Sequence, residues 1–310
     1  MRFTLSGLNP FMRWVISLAA LVAVVSLGCS TRGGTRPTTD SAFPDSGVSD
    51  AALDSTTPPP DTRPRADTGP DLSTVLVYAH SRDTLFTFSP ADMRVEAVAL
   101  FSDVSGGDTP NMLDLAVDAE GNVFTASSDE LWTVDPETAA VTMVGSFGLG
   151  DQLFALSFLA PGELGPNEVL IGATNEGAYY RIDITTARAV LLGTYPDGWR
   201  SSGDIVSVAD LGTFATVRRD DFPSDVLVQI LFSSDGTSTV LVKGPIKSDS
   251  RDFTEIFGIG YWGRVLYGFS NAGELIEINR DTGAGSLVAT ETGTDQFWGA
   301  GVTTVVPVLF

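Results

Sequence analysis

The chain has 310 residues, 39 acidic and 18 basic, with a single Cys and a single His. Without the export signal described below, 39 acids face 16 bases, a formal charge of −23. That balance excludes nucleic acid and excludes docking of the folded part on anionic lipid, since both need clustered Lys and Arg. One Cys forbids an internal disulfide, and one Cys with one His is too few ligands for a zinc, haem or iron-sulfur centre.

In chain order, Arg2 and Arg13 precede an uncharged run, Trp14 to Leu27, dominated by Ala, Val and Leu. The run is shorter than the about 20 residues a spanning helix needs and suits the apolar core of a signal peptide over residues 1–28. It ends in Ser26-Leu27-Gly28-Cys29. This stretch resembles the lipobox of bacterial lipoproteins, although Ser26 stands where that family usually has Leu. The resemblance implies a diacylated Cys29 as the mature first residue and a membrane partner through that anchor. Ser30 after the Cys, by the same resemblance, implies the outer membrane of the cell envelope, facing the periplasm or the cell surface.

Residues 30–73 hold seven Pro and seven Asp among many Thr and Ser. Such a stretch buries too little surface to offset its ordering entropy and is expected to be a disordered linker. As a flexible coil it spans roughly 35 to 40 Å.

From residue 74 a repeat runs to the C-terminus. Segments Leu85-Phe86-Thr87-Phe88, Leu131-Trp132-Thr133-Val134, Tyr179-Tyr180-Arg181-Ile182, Leu227-Val228-Gln229-Ile230 and Leu275-Ile276-Glu277-Ile278 start 46, 48, 48 and 48 residues apart. Turns of Asx, Pro and Gly chemistry follow several of them, as at Asp135-Pro136-Glu137-Thr138 and Asn279-Arg280-Asp281-Thr282-Gly283. Each is preceded by another strand, and a further strand type recurs at 112–117, 153–158, 205–209, 256–260 and 297–302. The first repeat lacks this last strand, while the C-terminus carries one with no repeat after it. That offset predicts an all-β ring over residues 74–310: a five-bladed β-propeller, six blades being the alternative, closed by the C-terminal strand. The strands resemble the Leu-Tyr-x-Ile-Asp-Pro-x-Thr-Gly repeats of quinoprotein-like and YVTN-type bacterial propellers. The resemblance implies fold rather than activity, because neither WD dipeptides nor the tryptophans of quinoprotein dehydrogenases recur at this period.

The innermost strands of a propeller line its axis, so the residues just before them are expected at one mouth: Asn111, Gln152, Asp204, Glu255 and Gln296. Three positions further stand Asp114, Ala155, Ser207, Gly258 and Gly299, small apart from Asp114. Amides and carboxylates converging in a concavity suit a cation such as calcium or a polyhydroxylated ligand; strand starts that simply meet solvent give the same pattern. No catalytic residue, metal ligand or cofactor is assigned. Five-bladed glycosidases of the arabinanase and fructan-hydrolase type carry three axial carboxylates, and Asp114, Asp204 and Glu255 are similar in blade order, though their local sequences are not. Trp132, Tyr179, Tyr180, Phe257 and Trp298 read as core between blades, His80 as a packed or surface residue, Arg218-Arg219-Asp220-Asp221 as a loop charge cluster, and 118–122 as a hairpin turn. The expectation is a lipid-anchored propeller acting as a binding or interaction module for a protein, glycan or small ligand. The alternatives are a glycan-active hydrolase and a structural envelope scaffold.

Overall fold

The computed structural model describes residues 75–233, 235 and 237–307. The signal, Cys29 and the linker lie outside them. Among the described residues there are strands, turns and bends but no helix.

The first sheet holds β1 (Val77–His80), β2 (Thr84–Ser89) and β3 (Arg94–Leu100). A two-residue β4 (Ser102–Asp103) leads to the second, β5 (Asp114–Val117), β6 (Val123–Ala126), β7 (Glu130–Val134) and β8 (Ala140–Ser146), and lies parallel to β8 at its edge. The third holds β9 (Ala155–Leu159), β10 (Val169–Ala173), β11 (Ala178–Ile182) and β12 (Ala189–Thr194). In the fourth are β13 (Arg200–Val208), β14 (Gly212–Arg218), β15 (Val226–Phe232) and β16 (Ser238–Pro245). The fifth is formed by β17 (Ile256–Trp262), β18 (Val265–Ser270), β19 (Leu275–Ile278) and β20 (Gly285–Ala289). Finally β21 (Gly299–Gly301) returns to the first sheet and pairs antiparallel with β1, Ala79 opposite Ala300. The innermost strands β5, β9, β13, β17 and β21 touch in turn, and β21 touches β5 again, which closes the ring. The fold is a five-bladed β-propeller with the offset closure the repeat predicts.

Each repeated segment is the third strand of its blade, β21 being the first strand of blade 1, and its inward residues fill the seams between blades. Trp132 packs with Leu85, Phe101 and Leu115 between blades 1 and 2, and Tyr179 with Trp199, Ala215 and Val228 between blades 3 and 4. Burying a side chain of this size stabilises by about 1.5–3 kcal/mol, so the seams rather than any single sheet hold the ring. The turns behave as their sequence requires. Asp135 Oδ1 accepts from the amides of Glu137 and Thr138 at 2.9 and 3.0 Å, and Asp183 and Asn279 repeat the arrangement.

The lower end of the axis is sewn shut by the segment after β21. Val302, Thr304 and Val306 are buried. The Thr304 carbonyl accepts from the Ala209 amide at 2.8 Å, its hydroxyl donates to Glu168, and Glu168 accepts from the Ala119 amide at 3.0 Å. One short tail thus ties blades 2, 3 and 4 together.

Candidate functional site

Strand register defines the axial ring. Asp114 pairs with Ala126, Ala155 with Ala173, Gly258 with Phe269 and Gly299 with His80, while the Asp204 amide donates to Thr216 Oγ1 at the same level of blade 4. The equivalent residues of the five inner strands are therefore Asp114, Ala155, Asp204, Gly258 and Gly299. This corrects the sequence alignment of blade 4. Asp204 is not the residue ahead of the strand; it lies inside the nine-residue β13, level with Asp114.

Two carboxylates at alternate positions, flanked by Ala and Gly, fill the axis. Asp114 accepts from its neighbour Leu115 at 2.8 Å and from Leu156 of the next blade at 2.6 Å. Asp204 accepts from Ile205 at 2.5 Å, from Ile259 of the next blade at 2.7 Å, and from the Ala300 amide of the closing strand. Each Asp thus satisfies backbone donors across a seam. Small neighbours are compulsory: a Cβ on Gly299 would overlap Asp114 Oδ1 and His80 Nε2. Both carboxyls are wholly buried and hydrogen-bond each other. Burial pushes both well above the usual carboxylate range, and the charge of Asp204 pushes Asp114 further. Two carboxyls in contact away from water cannot both carry charge, so the pair holds a proton between them. Beside them the wholly buried His80 donates from Nδ1 to the Ser81 carbonyl at 2.7 Å, and burial lowers its pKa to about 4. It is a neutral imidazole at pH 7, and its Nε2 has no hydrogen-bond partner.

Immediately above this closed layer the ring positions are Leu113, Phe154, Gly203, Phe257 and Trp298. They form the wall of an open bowl of about 310 Å³, completed by Asn175, Ser201, Ser202, Arg218, Asn271 and Gln296. Gly203 breaks the wall because a side chain there would strike the Ile256 carbonyl of blade 5. On that side Ser201, Ser202 and Arg218 replace apolar surface. A neighbouring cavity of about 280 Å³, sharing Ser202, Arg218 and Phe257, is lined by Asp225 and Glu255. Asp225 accepts from the Ile256 amide at 2.9 Å, and its burial raises its pKa to about 6.

Of the six axial residues expected from sequence, only Gln296 lines the bowl. Glu255 is exposed at its rim, 3.4 Å from Asn271 Nδ2, and Asn111 and Gln152 are exposed outside it. Asp114 and Asp204 lie beneath it, closed to solvent. Three carboxylates thus do not converge on one cleft, and the two buried ones cannot reach a glycosidic oxygen in this geometry. Among the described residues no three His, Cys, Asp or Glu side chains are placed to hold a metal ion. In the turn at 118–122, Asp118 is engaged by the Asn122 amide and side chain at 2.7 and 2.8 Å. Of the aromatics expected between blades, Trp132 and Tyr179 are there, whereas Phe257 and Trp298 face the bowl. The missed wall was readable in the Leu, Phe, Gly, Phe, Trp series one residue ahead of each axial position.

No family model matches this chain, and no curated protein matches it. Among solved structures, it is similar to one from a nidogen/laminin complex at 10% identity and TM-score 0.47, covering 74% of this chain and 97% of that one. It is also similar to a structural genomics protein of unknown function from Bacteroides thetaiotaomicron VPI-5482, at 12% identity and TM-score 0.42 over 72% of this chain and 59% of the other. A third is BamB from Moraxella catarrhalis, at 14% identity and TM-score 0.34 over 67% of this chain and 70% of the other.

Proposed function

We propose that the protein is a binding module of the bacterial cell envelope, held at the outer membrane by a lipid on Cys29, which takes a small ligand or the end of a glycan in its axial bowl. The observation that carries the reading is the asymmetry of the axis. Below, the tail from Val302 to Val306 closes it; in the middle, Asp114 and Asp204 fill it; above, four large apolar side chains surround an open cavity rimmed by amides. A concave apolar wall with a few placed polar groups is the ordinary form of a small-ligand site. The lipobox-like Gly28-Cys29 and the Pro-rich linker support placement outside the cytoplasm at a distance from a membrane.

Two experiments test this. Fatty-acid labelling is expected in the wild-type chain and lost in Cys29→Ala; labelling that persists without Cys29 would remove the anchor. Thermal unfolding of the Cys29→Ala chain against envelope saccharides and small metabolites is expected to reveal a ligand that raises the midpoint in the parent but not in Trp298→Ala. A ligand whose shift survives Trp298→Ala and Phe257→Ala would place binding elsewhere.

A further inference from the structure

We infer that the bowl accepts a sugar bearing a carboxylate, with Arg218 as the group that reads the anion; this rests on the bowl being the binding site. Three arginines crowd the broken side of the wall. Two are committed: Arg200 to Asp220 at 2.6 Å, and Arg219 to Asp221 through two hydrogen bonds of 2.5 and 2.8 Å while it stacks 4.2 Å from the Trp199 ring. Arg218 differs. Its side chain is exposed, it lines the bowl, and among the described residues it makes no ion pair within 4 Å. Its charge acts on the buried Asp225 of the neighbouring cavity, yet no carboxylate lies within 4 Å of it among the described residues, so its fork of donors is free to match a carboxylate with two parallel hydrogen bonds.

The remaining lining selects the body that carries the carboxylate. Phe154, Phe257 and Trp298 offer flat apolar faces, on which the C–H face of a pyranose packs. Asn175, Asn271, Gln296, Ser201 and Ser202 offer donors and acceptors for hydroxyls at the edge of the same space. Gln296 Oε1 accepts from Trp298 Nε1 at 3.2 Å, which fixes platform and amide together and leaves the amide NH2 for a ligand. The guanidinium at the wall of the bowl disfavours a cationic ligand. The cavity, at the lower end of the size range for small-molecule sites, suits a terminal acidic sugar rather than a chain segment.

The test is a tryptophan-fluorescence titration of the Cys29→Ala chain with glucuronate, glucose, acetate and benzoate, repeated in Arg218→Gln, Arg218→Lys and Trp298→Ala/Phe257→Ala. The expected result is saturable binding of glucuronate about tenfold or more tighter than glucose, a preference abolished in Arg218→Gln, partly kept in Arg218→Lys, and unaccompanied by a change in unfolding midpoint. Equal binding of glucose and glucuronate, or a preference that survives Arg218→Gln, would overturn the role of Arg218 while leaving the bowl as the site. Benzoate binding more tightly than glucuronate would overturn the sugar. Absence of any response would overturn the inference, and responses unchanged in the double variant would overturn the site as well.

Discussion

Asp114, Asp204 and His80 are three ionisable groups with no access to water, and their titrations act on stability in opposite directions. His80 has its folded pKa lowered to about 4 by burial, so between pH 6.5 and 4 the unfolded chain binds a proton that the folded chain refuses. Stability from this group is present above 6.5 and falls as pH drops through that window, by roughly 3 kcal/mol in all. His80→Leu is expected to flatten the acid limb of urea unfolding relative to wild type; parallel limbs would show that His80 does not titrate as argued. For the Asp pair the folded pKa values are raised, so the folded chain holds the extra proton and its stability falls as pH rises above the ordinary carboxylate range. Asp114→Asn, a neutral group of the same shape, is expected to lessen that fall as pH rises above the ordinary carboxylate range, read from urea unfolding at a series of pH values. Gly299→Ala is expected to cost about 3 kcal/mol or more, because its methyl overlaps both Asp114 and His80 and the core beside it is already filled.

At the scale of elements, the outer turns show how far sequence pattern reaches. Their Asx chemistry was readable because an Asx side chain replaces the amide acceptors that the turn lacks, and all three turns fold that way. The closing residue of the turn is Ala139 at φ 57°, Ala187 at 61° and Gly283 at 74°. Since L-residues are strained there and Gly is not, Ala139→Gly should stabilise by about 0.5–1 kcal/mol, read as a rise of roughly 2 °C in unfolding midpoint; a fall would mean that the buried methyl lost from the seam and the flexibility gained by the unfolded chain together outweigh the strain relieved. Strand periodicity failed at one place. In β13 the residues Ser201, Ser202 and Gly203 are polar or side-chain-free, so the apolar run begins at Ile205 and suggests a strand start there. They are buried because the backbone of blade 5 crosses over Gly203, and pairing with β14 skips between Ser201 and Ile205. That tertiary contact has no local signature, and it displaced Asp204 by three residue positions in the register of the inner strands. The bowl's Arg218 was hidden for a related reason: beside Asp220 and Asp221 it reads as one of a mutually neutralised cluster, whereas only Arg219 and Arg200 are paired.

For the whole molecule, stability depends on a ring closed late in the chain. β21 supplies the inner strand of the first blade, and Thr304 and Glu168 fasten the tail across three blades. Thr304→Val removes one donor from the part-buried Glu168 carboxylate and is expected to cost about 1–3 kcal/mol in chemical denaturation; a cost near zero would show that the tail is held by Val302 and Val306 alone. The same closure confines access to the axis to the upper face, where the aromatic wall meets Arg218. The bowl on that face is thus the place for a ligand in this reading of the fold. Its most direct test is calorimetric titration of the Cys29→Ala chain, and of its Trp298→Ala form, with acidic and neutral saccharides. Saturable one-site binding is expected in the parent chain and its loss in Trp298→Ala, with the unfolding midpoint without ligand kept. Binding that is undiminished in Trp298→Ala would contradict this reading.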